Sequence, residues 1–239
     1  MNPTALAPII APRGTLRAVI NLGNPVLTTG TPLDPGGVTV DLARGLADWL
    51  GVPVELTCVQ AAREAFGAIT EGRVDMCFLA IEPAREEYLA FTAPYVLIEG
   101  VFAVAEASRD TTSSEVDRAG VRIAVAEGSA YDLFLTRTIK NAELVRTDDP
   151  TAAFDEQGLE VCAGVRQPMT AHVRSRQMRI LEPPFMDIRQ AMGLPRTVDA
   201  EAVRSVAVWL EEQKSSGAVA NALRRSGVDA TVAPAGHTA

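Results

Sequence analysis

The sequence predicts an α/β protein built on open, mostly parallel sheets. Three observations carry this. Strand-like and helix-like runs alternate from Leu16 to Leu79. The last of these runs, Val74 to Leu79, is short and continuously apolar, which suits a strand covered on both faces. From Val121 the alternation begins again. Two αβ units of about 100 residues each would form two lobes with a cleft between them.

Taken in order, Leu16 to Asn21 reads as the first strand. Asn24, Pro25 and the polar run Thr28 to Gly37 read as a loop. Asp41 opens a helix with Leu42, Leu46 and Trp49/Leu50 at helical spacing, and Gly51 ends it. Val52 to Val59 alternates apolar and polar residues as a strand does. Ala62 to Glu71 reads as a helix stopped by Gly72, and Val74 to Leu79 is the buried strand. One helical turn carrying Arg85 follows, then an apolar segment closed by Pro94-Tyr95.

Val101 to Ala105 is a further strand, and Ser108 to Asp117 a polar linker. The second unit reads as strands at Val121 to Ala126, Glu143 to Arg146 and Leu159 to Ala163. Its helices are expected at Ala130 to Lys140, from Thr151 to Phe154, and at Pro168 to Arg174. Met178 to Leu181 and Ile188 to Met192 read as strands around Pro183-Pro184. Helices at Ala200 to Lys214 and Ala218 to Arg225 close the chain, and the tail from Thr231 is expected to fray.

Composition narrows the function. The chain has 239 residues and a net charge of −8, which argues against nucleic acid as a partner. Cys58, Cys77 and Cys162 lie in strand-like runs without metal or redox spacing and read as small buried hydrophobes. Pro8 and Pro12 interrupt the apolar run of the N-terminus, which reads as neither secretory signal nor anchor; on that reading the protein is cytoplasmic and not membrane-embedded. There is no phosphate-binding glycine loop and no nucleophile elbow. The two histidines, His172 in a helix and His237 in the tail, have no ligand-spaced partner, so no metal or other cofactor is expected.

Arginine is the residue type that points to binding. Arg85 lies just past the carboxyl end of a buried strand, where an open α/β sheet binds ligands. Its planar fork grips carboxylates bidentately. Taken alone, it could equally pair with Glu86 or Glu87. Gly128-Ser129 follows a strand and precedes a helix, whose N–H groups can receive a carboxylate or be capped by Ser129. Arg166 follows another strand, and Glu82 and Glu127 lie in loops just after strands.

An ordered set of motifs resembles a known family. Leu16-Arg17, Gly37-Val-Thr-Val-Asp-Leu-Ala43, Gly72-Arg-Val-Asp75, Pro83-Ala-Arg85, Ala90-Phe-Thr-Ala-Pro-Tyr95, Glu127-Gly-Ser and Lys214-Ser-Ser-Gly217 come in the order of the bacterial type 2 solute-binding proteins. More narrowly, the chain resembles the members that bind polar amino acids for ABC transporters. The resemblance implies a type II periplasmic-binding-protein-like clamshell with open mixed sheets and a two-strand hinge near Val104 and Gln190. Residues 1–104 with 189–239 would form lobe 1, and 105–188 lobe 2. It implies non-enzymatic binding of a small carboxylate-bearing solute, an amino acid or related organic acid, with an ABC permease as a further partner and a periplasmic location.

By the same resemblance Arg85 grips the ligand carboxylate, helped by backbone groups at Ala80 and at Gly128-Ser129. Asn21 and Asn24 stand where the family often has an acidic residue and an aromatic, and Ala80 where it often has Thr or Ser. Val165-Arg166 stands where an acidic residue often meets the ligand ammonium. Tyr95 closes the signature stretch and joins the candidate ligand-binding set. These departures suggest a small ligand with a carboxylate and a second anionic or strongly accepting group, clamped between Arg85 and Arg166, with water, an anion or a partner such as Glu82 balancing the empty site. Two alternatives stand beside this reading: an enzyme on the same fold resembling the cyclohexadienyl dehydratases, with Glu82 or Glu127 as acid, and a cytoplasmic metabolite sensor.

Overall fold

The protein is described from a computed structural model, and the residues described are 2–236. His237 lies outside the described residues. The chain begins with α1 (Pro3–Ile10), β1 (Leu16–Asn21), the hairpin β2 (Thr29–Thr31) and β3 (Asp34–Gly36), α2 (Val38–Leu50), β4 (Val54–Val59) and α3 (Ala62–Thr70). It continues through β5 (Met76–Ala80), the single turn α4 (Pro83–Glu86), β6 (Leu89–Phe91) and β7 (Val96–Ala105). Then come β8 (Arg122–Ala126), α5 (Ala130–Thr138), β9 (Glu143–Thr147), α6 (Pro150–Gln157), β10 (Val161–Val165), α7 (Arg166–Arg174) and β11 (Met178–Ile180). The last elements are β12 (Met186–Pro195), α8 (Ala200–Ser215), α9 (Ala218–Arg225) and β13 (Thr231–Val232).

The chain divides into two compact units: Met1–Leu97 with Arg189–Ala239, and Ile98–Ile188. Both boundaries fall within long strands, β7 and β12.

In the first unit, β1 lies between β4 and β5 and is parallel to both. β12 pairs antiparallel with β5, opposing Gln190 to Ala80, and also pairs with β6. β5 is buried throughout, as its unbroken apolar sequence requires. Ala65, Ala68 and Ile69 of α3 form a core cluster with Val19, Cys77, Leu79 and Leu89. Leu42, Leu46 and Leu50 of α2 are buried at helical spacing. α2 starts at Val38, three residues before the expected Asp41. Gly37 caps it at φ +97°, and a side chain there would meet the Leu27 carbonyl oxygen at 2.5 Å.

Among the described residues, two segments near the chain ends are more ordered than the sequence suggests. α1 forms despite Pro8, packing on α2 and α8 with Leu6 and Ile10 buried. Asn2 caps it, accepting a hydrogen bond from the Ala5 amide at 2.9 Å. Pro3 occupies a first-turn position, where a missing N–H costs nothing. The expected frayed tail instead contains β13, paired with Val96 and Leu97. Lys214 tethers it: Nζ donates to the Pro94 and Pro234 carbonyl oxygens at 3.1 and 2.8 Å and pairs with Glu211 at 2.8 Å.

The second unit repeats the plan. β8 lies between β9 and β10, parallel to both. β7 pairs antiparallel with β10 and with β11. Its core includes Val101, Ala103, Ala124, Phe154, Cys162 and Met169. One ion pair recurs in both units. In the first, the Arg17 backbone N–H and Nε donate to Asp75 Oδ2 at 2.9 and 3.1 Å. In the second, the Arg122 backbone N–H and Nε donate to Glu160 Oε2 at 2.9 and 3.0 Å. In each case the first strand of the αβ unit holds the carboxylate at the entry to the strand beside it.

Candidate functional site

The strand order places a candidate half-site in each unit. In the first, the chain leaves β1 through α2 to reach β4 on one side, then returns through α3 to β5 on the other. The connections therefore diverge between β1 and β5, and the crevice at the carboxyl ends of such strands is where open α/β sheets bind ligands. Asn21 ends β1 and Ala80 ends β5. The second unit has the same switch between β8 and β10, flanked by Glu127-Gly128-Ser129 and by Arg166.

In the first half-site Arg85 is buried, with 2% exposure. Pro83 at the first position of α4 pre-sets the turn that carries it. Arg85 Nη1 donates to the Ala80 carbonyl oxygen at 3.0 Å. Burial pulls the guanidinium pKa down to about 10, against the opposing influence of Cys77 and Glu82. It is a cation at neutral pH. Glu82 caps the same turn and is 3% exposed. Arg85 is thus a buried residue anchored to the end of β5.

The backbone at Ala80 receives the arginine through its carbonyl, while the next amide, Ile81 N–H, donates to the Arg189 carbonyl oxygen at 2.9 Å. Asn21 and Asn24 organise the loop after β1. Asn21 Oδ1 accepts from Gly23 N–H at 3.0 Å, and Asn24 Oδ1 accepts from Val26 N–H at 3.2 Å. Tyr95 is fully buried and meets Phe78 edge-on at 6.2 Å. Its hydroxyl faces Thr39 closely enough for the threonine to influence its ionisation, yet the pair falls short of hydrogen-bonding geometry. Burial pushes its pKa up. Tyr95 is a core residue beneath the half-site.

In the second half-site the turn before α5 is already occupied by the chain's own carboxylate. Gly128 N–H donates to Asp132 Oδ2 at 2.9 Å, and the Asp132 amide donates to Ser129 Oγ at 3.1 Å. Ser129 is therefore the helix cap. Asp132, 4% exposed, also pairs with Arg146 Nε at 3.0 Å. Arg166 opens α7, directly after β10. Its guanidinium forms a fork-to-fork pair with Glu182 at 2.8 and 2.9 Å, and Nε contacts Glu99. The sequence reading offers Arg166 as a clamp for a second anionic group; in the structure two carboxylates, Glu99 and Glu182, balance it.

Sequence reasoning missed several of these participants, among them Asp132, Arg146, Glu99, Glu182 and Thr39. Asp132 was legible, since Ser129 and an acid three residues later form a capping pattern. Glu99 was not, because it meets Arg166 only through the pairing of β7 with β10. Thr39 offered no signal beyond its place in α2. Among the described residues no cluster of His, Cys, Asp and Glu could hold a metal ion, and no helix is long and apolar enough to cross a membrane. Cys77 and Cys162 are buried free thiols with pKa values pushed up to about 12 by burial.

Comparison with known proteins agrees with this fold. The virulence sensor protein BvgS of Bordetella pertussis is 28% identical over 138 residues, covering 57% of this chain and 11% of BvgS. The chain thus spans about a tenth of the length of the curated relative it matches. A histidine kinase sensor domain with similarity to periplasmic binding proteins superposes with a TM-score of 0.75 at 19% identity, covering 92% of this chain and 98% of that one. A putative ABC-transporter binding component from Wolinella succinogenes, complexed with lysine, superposes with a TM-score of 0.74 at 18% identity, covering 91% and 97%. Both share the two-domain α/β fold of type II periplasmic binding proteins. Residues 24–227 match the profile of one family across most of the chain, and the protein belongs to the bacterial extracellular solute-binding proteins, family 3.

Proposed function

We propose that the chain binds a small carboxylate-bearing solute, an amino acid or related organic acid, without transforming it, and that Arg85 grips the carboxylate. The supporting observation is the placement of Arg85, a buried cation at the switch point between β1 and β5. The fork is held by the Ala80 carbonyl oxygen, so little side-chain entropy remains to be lost on binding. Closure of two lobes about the strands near Val104 and Gln190 would enclose the solute. Family membership favours placement outside the cytoplasm over the cytoplasmic reading of the N-terminal residues.

A second reading concerns what the bound state does. The Bordetella relative is named a sensor, and a histidine kinase sensor domain shares the fold. Both favour a ligand-sensing domain that passes its state to a signalling partner over delivery to an ABC permease.

A thermal-shift screen with the protein amino acids and small mono- and dicarboxylic acids tests the binding reading. A ligand at a hundred times its dissociation constant stabilises by about 2.7 kcal/mol, a readable shift. The hit should be recovered unchanged by NMR. If no member of the panel shifts the melting temperature, the binding reading fails; if the hit is converted, the enzyme alternative replaces it.

A further inference from the structure

We propose that the first unit carries an accessory binding site for small neutral aromatic molecules, in a cavity between α2, α8 and α9. None of the residues lining it belongs to the set around Arg85, so it stands apart from the proposed carboxylate grip.

Size and lining support this. The cavity has a volume of about 250 Å³. An apolar cavity of about 150 Å³ is enough to hold benzene, so this one can take a substituted ring. Leu42 of α2 and Val219 and Ala222 of α9, all buried, give it an apolar floor. Trp209 of α8, 4% exposed, forms an aromatic wall and lies beside Trp49, with ring centroids 6.3 Å apart. A ring ligand gains offset-stacked or edge contacts against such a wall. Gly45 also lines the cavity, in the interior of α2, where glycine costs about 1 kcal/mol relative to alanine. A Cβ there would stand 3.3 Å from Cζ2 and 3.7 Å from Cη2 of Trp209. The glycine lets the indole lie close against the helix and leaves no side chain of its own to fill the space.

The polar groups set the ligand class. Asp41 and Arg225 line the cavity and pair with each other at 2.7 Å, so neither charge is left uncompensated. A charged ligand would have to compete with that pair. Gln213 adds an uncharged amide that can both donate and accept. A ring bearing one hydroxyl can bond to Gln213 and leave the ion pair intact.

Phenol is the probe, and the chain's two tryptophans, Trp49 and Trp209, report on the site. Titrated into the full chain, with excitation where tryptophan absorbs and phenol does not, it should change the emission along a saturable one-site curve. Ala218→Phe fills the cavity from α9. With the fold retained by circular dichroism, this variant should bind phenol at least about tenfold more weakly. Gln213→Leu keeps the cavity but removes the amide, and should reverse the preference for phenol over toluene. Benzylammonium should bind at least about tenfold more weakly than phenol. So should benzoate, measured in Arg85→Ala so that the carboxylate grip does not contribute. A linear, unsaturable response in the wild type, or unchanged binding by a folded Ala218→Phe, overturns the site. If Ala218→Phe does not fold, the reversal in Gln213→Leu decides: an unaltered preference for phenol overturns the site. Either ion binding as tightly as phenol overturns the neutral class.

Discussion

Arg85 reaches back along the chain to donate to the Ala80 carbonyl oxygen at 3.0 Å, so the residue that ends β5 also anchors the cation that follows it. The contact directs the guanidinium to the carboxyl end of the sheet and holds it there. A flexible surface arginine would lose about 2 kcal/mol of rotamer freedom on binding an anion. Here that entropy is lost on folding, where the buried sheet supplies the compensating energy.

Lys214 performs a comparable task at the end of the chain, holding two carbonyl oxygens and Glu211 at 9% exposure. Lys214→Ala removes the charged donor from buried acceptors and should destabilise the fold by about 2–3 kcal/mol. Urea denaturation measures this. Hydrogen exchange should accelerate at Ala233, whose amide bonds the Tyr95 carbonyl oxygen beside the tether. Unchanged stability would show that the tether is dispensable.

Asp132 is expected to matter more than an ordinary first-turn acid. It accepts the Gly128 amide, pairs with Arg146 and is almost wholly buried. Asp132→Ala should cost about 2–3 kcal/mol, whereas Ser129→Ala, which removes only the cap, should cost about 1 kcal/mol. Chemical denaturation of both variants checks the order. If Ser129→Ala is the more damaging, the carboxylate is not what organises this turn.

The pH dependence of stability should reside largely in the second unit. The Arg122 hydrogen bond holds the Glu160 pKa below 4.5, and the Arg166 hydrogen bond does the same for Glu182. The Thr151 side chain and the α6 amides hold the Asp149 pKa below 3.8. All three pKa values are depressed on folding. Their contribution is therefore present above the unfolded values and lost as pH falls through the folded ones. Melting temperature should be flat from neutral pH to about 5 and fall below about 4.5. Glu160 is partly exposed, so Glu160→Gln should lower stability at neutral pH by no more than about 1 kcal/mol. The variant should also make the acid fall shallower. An unchanged acid slope would assign the sensitivity to other groups.

Much of the fold was legible because β5 and the helices of both units carry strong local patterns. Leu16–Asn21 coincides with its expected span, and Arg85 lies on the expected turn. What was hidden depends on distant pairing. β13 is only two residues long, with no strand pattern of its own, and its partner lies at Val96–Leu97. Pro8 signalled a break, but the burial of Leu6 and Ile10 against α2 and α8 outweighs its missing N–H. The position of Arg166 was legible, but its neutralisation was not, because Glu99 and Glu182 reach it from separate strands and loops. Charge balance in a folded site is a sum over residues that are remote in sequence.

Tyr95 illustrates the same limit. It closes the signature stretch yet lies in the core, with neither its hydroxyl nor that of Thr39 hydrogen-bonded. Tyr95→Phe removes a buried hydroxyl without a partner and should leave stability within about 1 kcal/mol of the wild type or raise it. Ligand affinity should also be unchanged. A marked loss of affinity by calorimetry would return Tyr95 to the binding surface.

The central claim is the carboxylate grip of Arg85, and isothermal titration of the screened ligand into wild type, Arg85→Lys and Arg85→Ala tests it most directly. Arg85→Lys keeps the charge but loses the planar fork, so it should weaken binding by about tenfold or more. Arg85→Ala should abolish measurable binding while circular dichroism shows the fold retained. Binding of near wild-type strength by a folded Arg85→Ala would contradict the account.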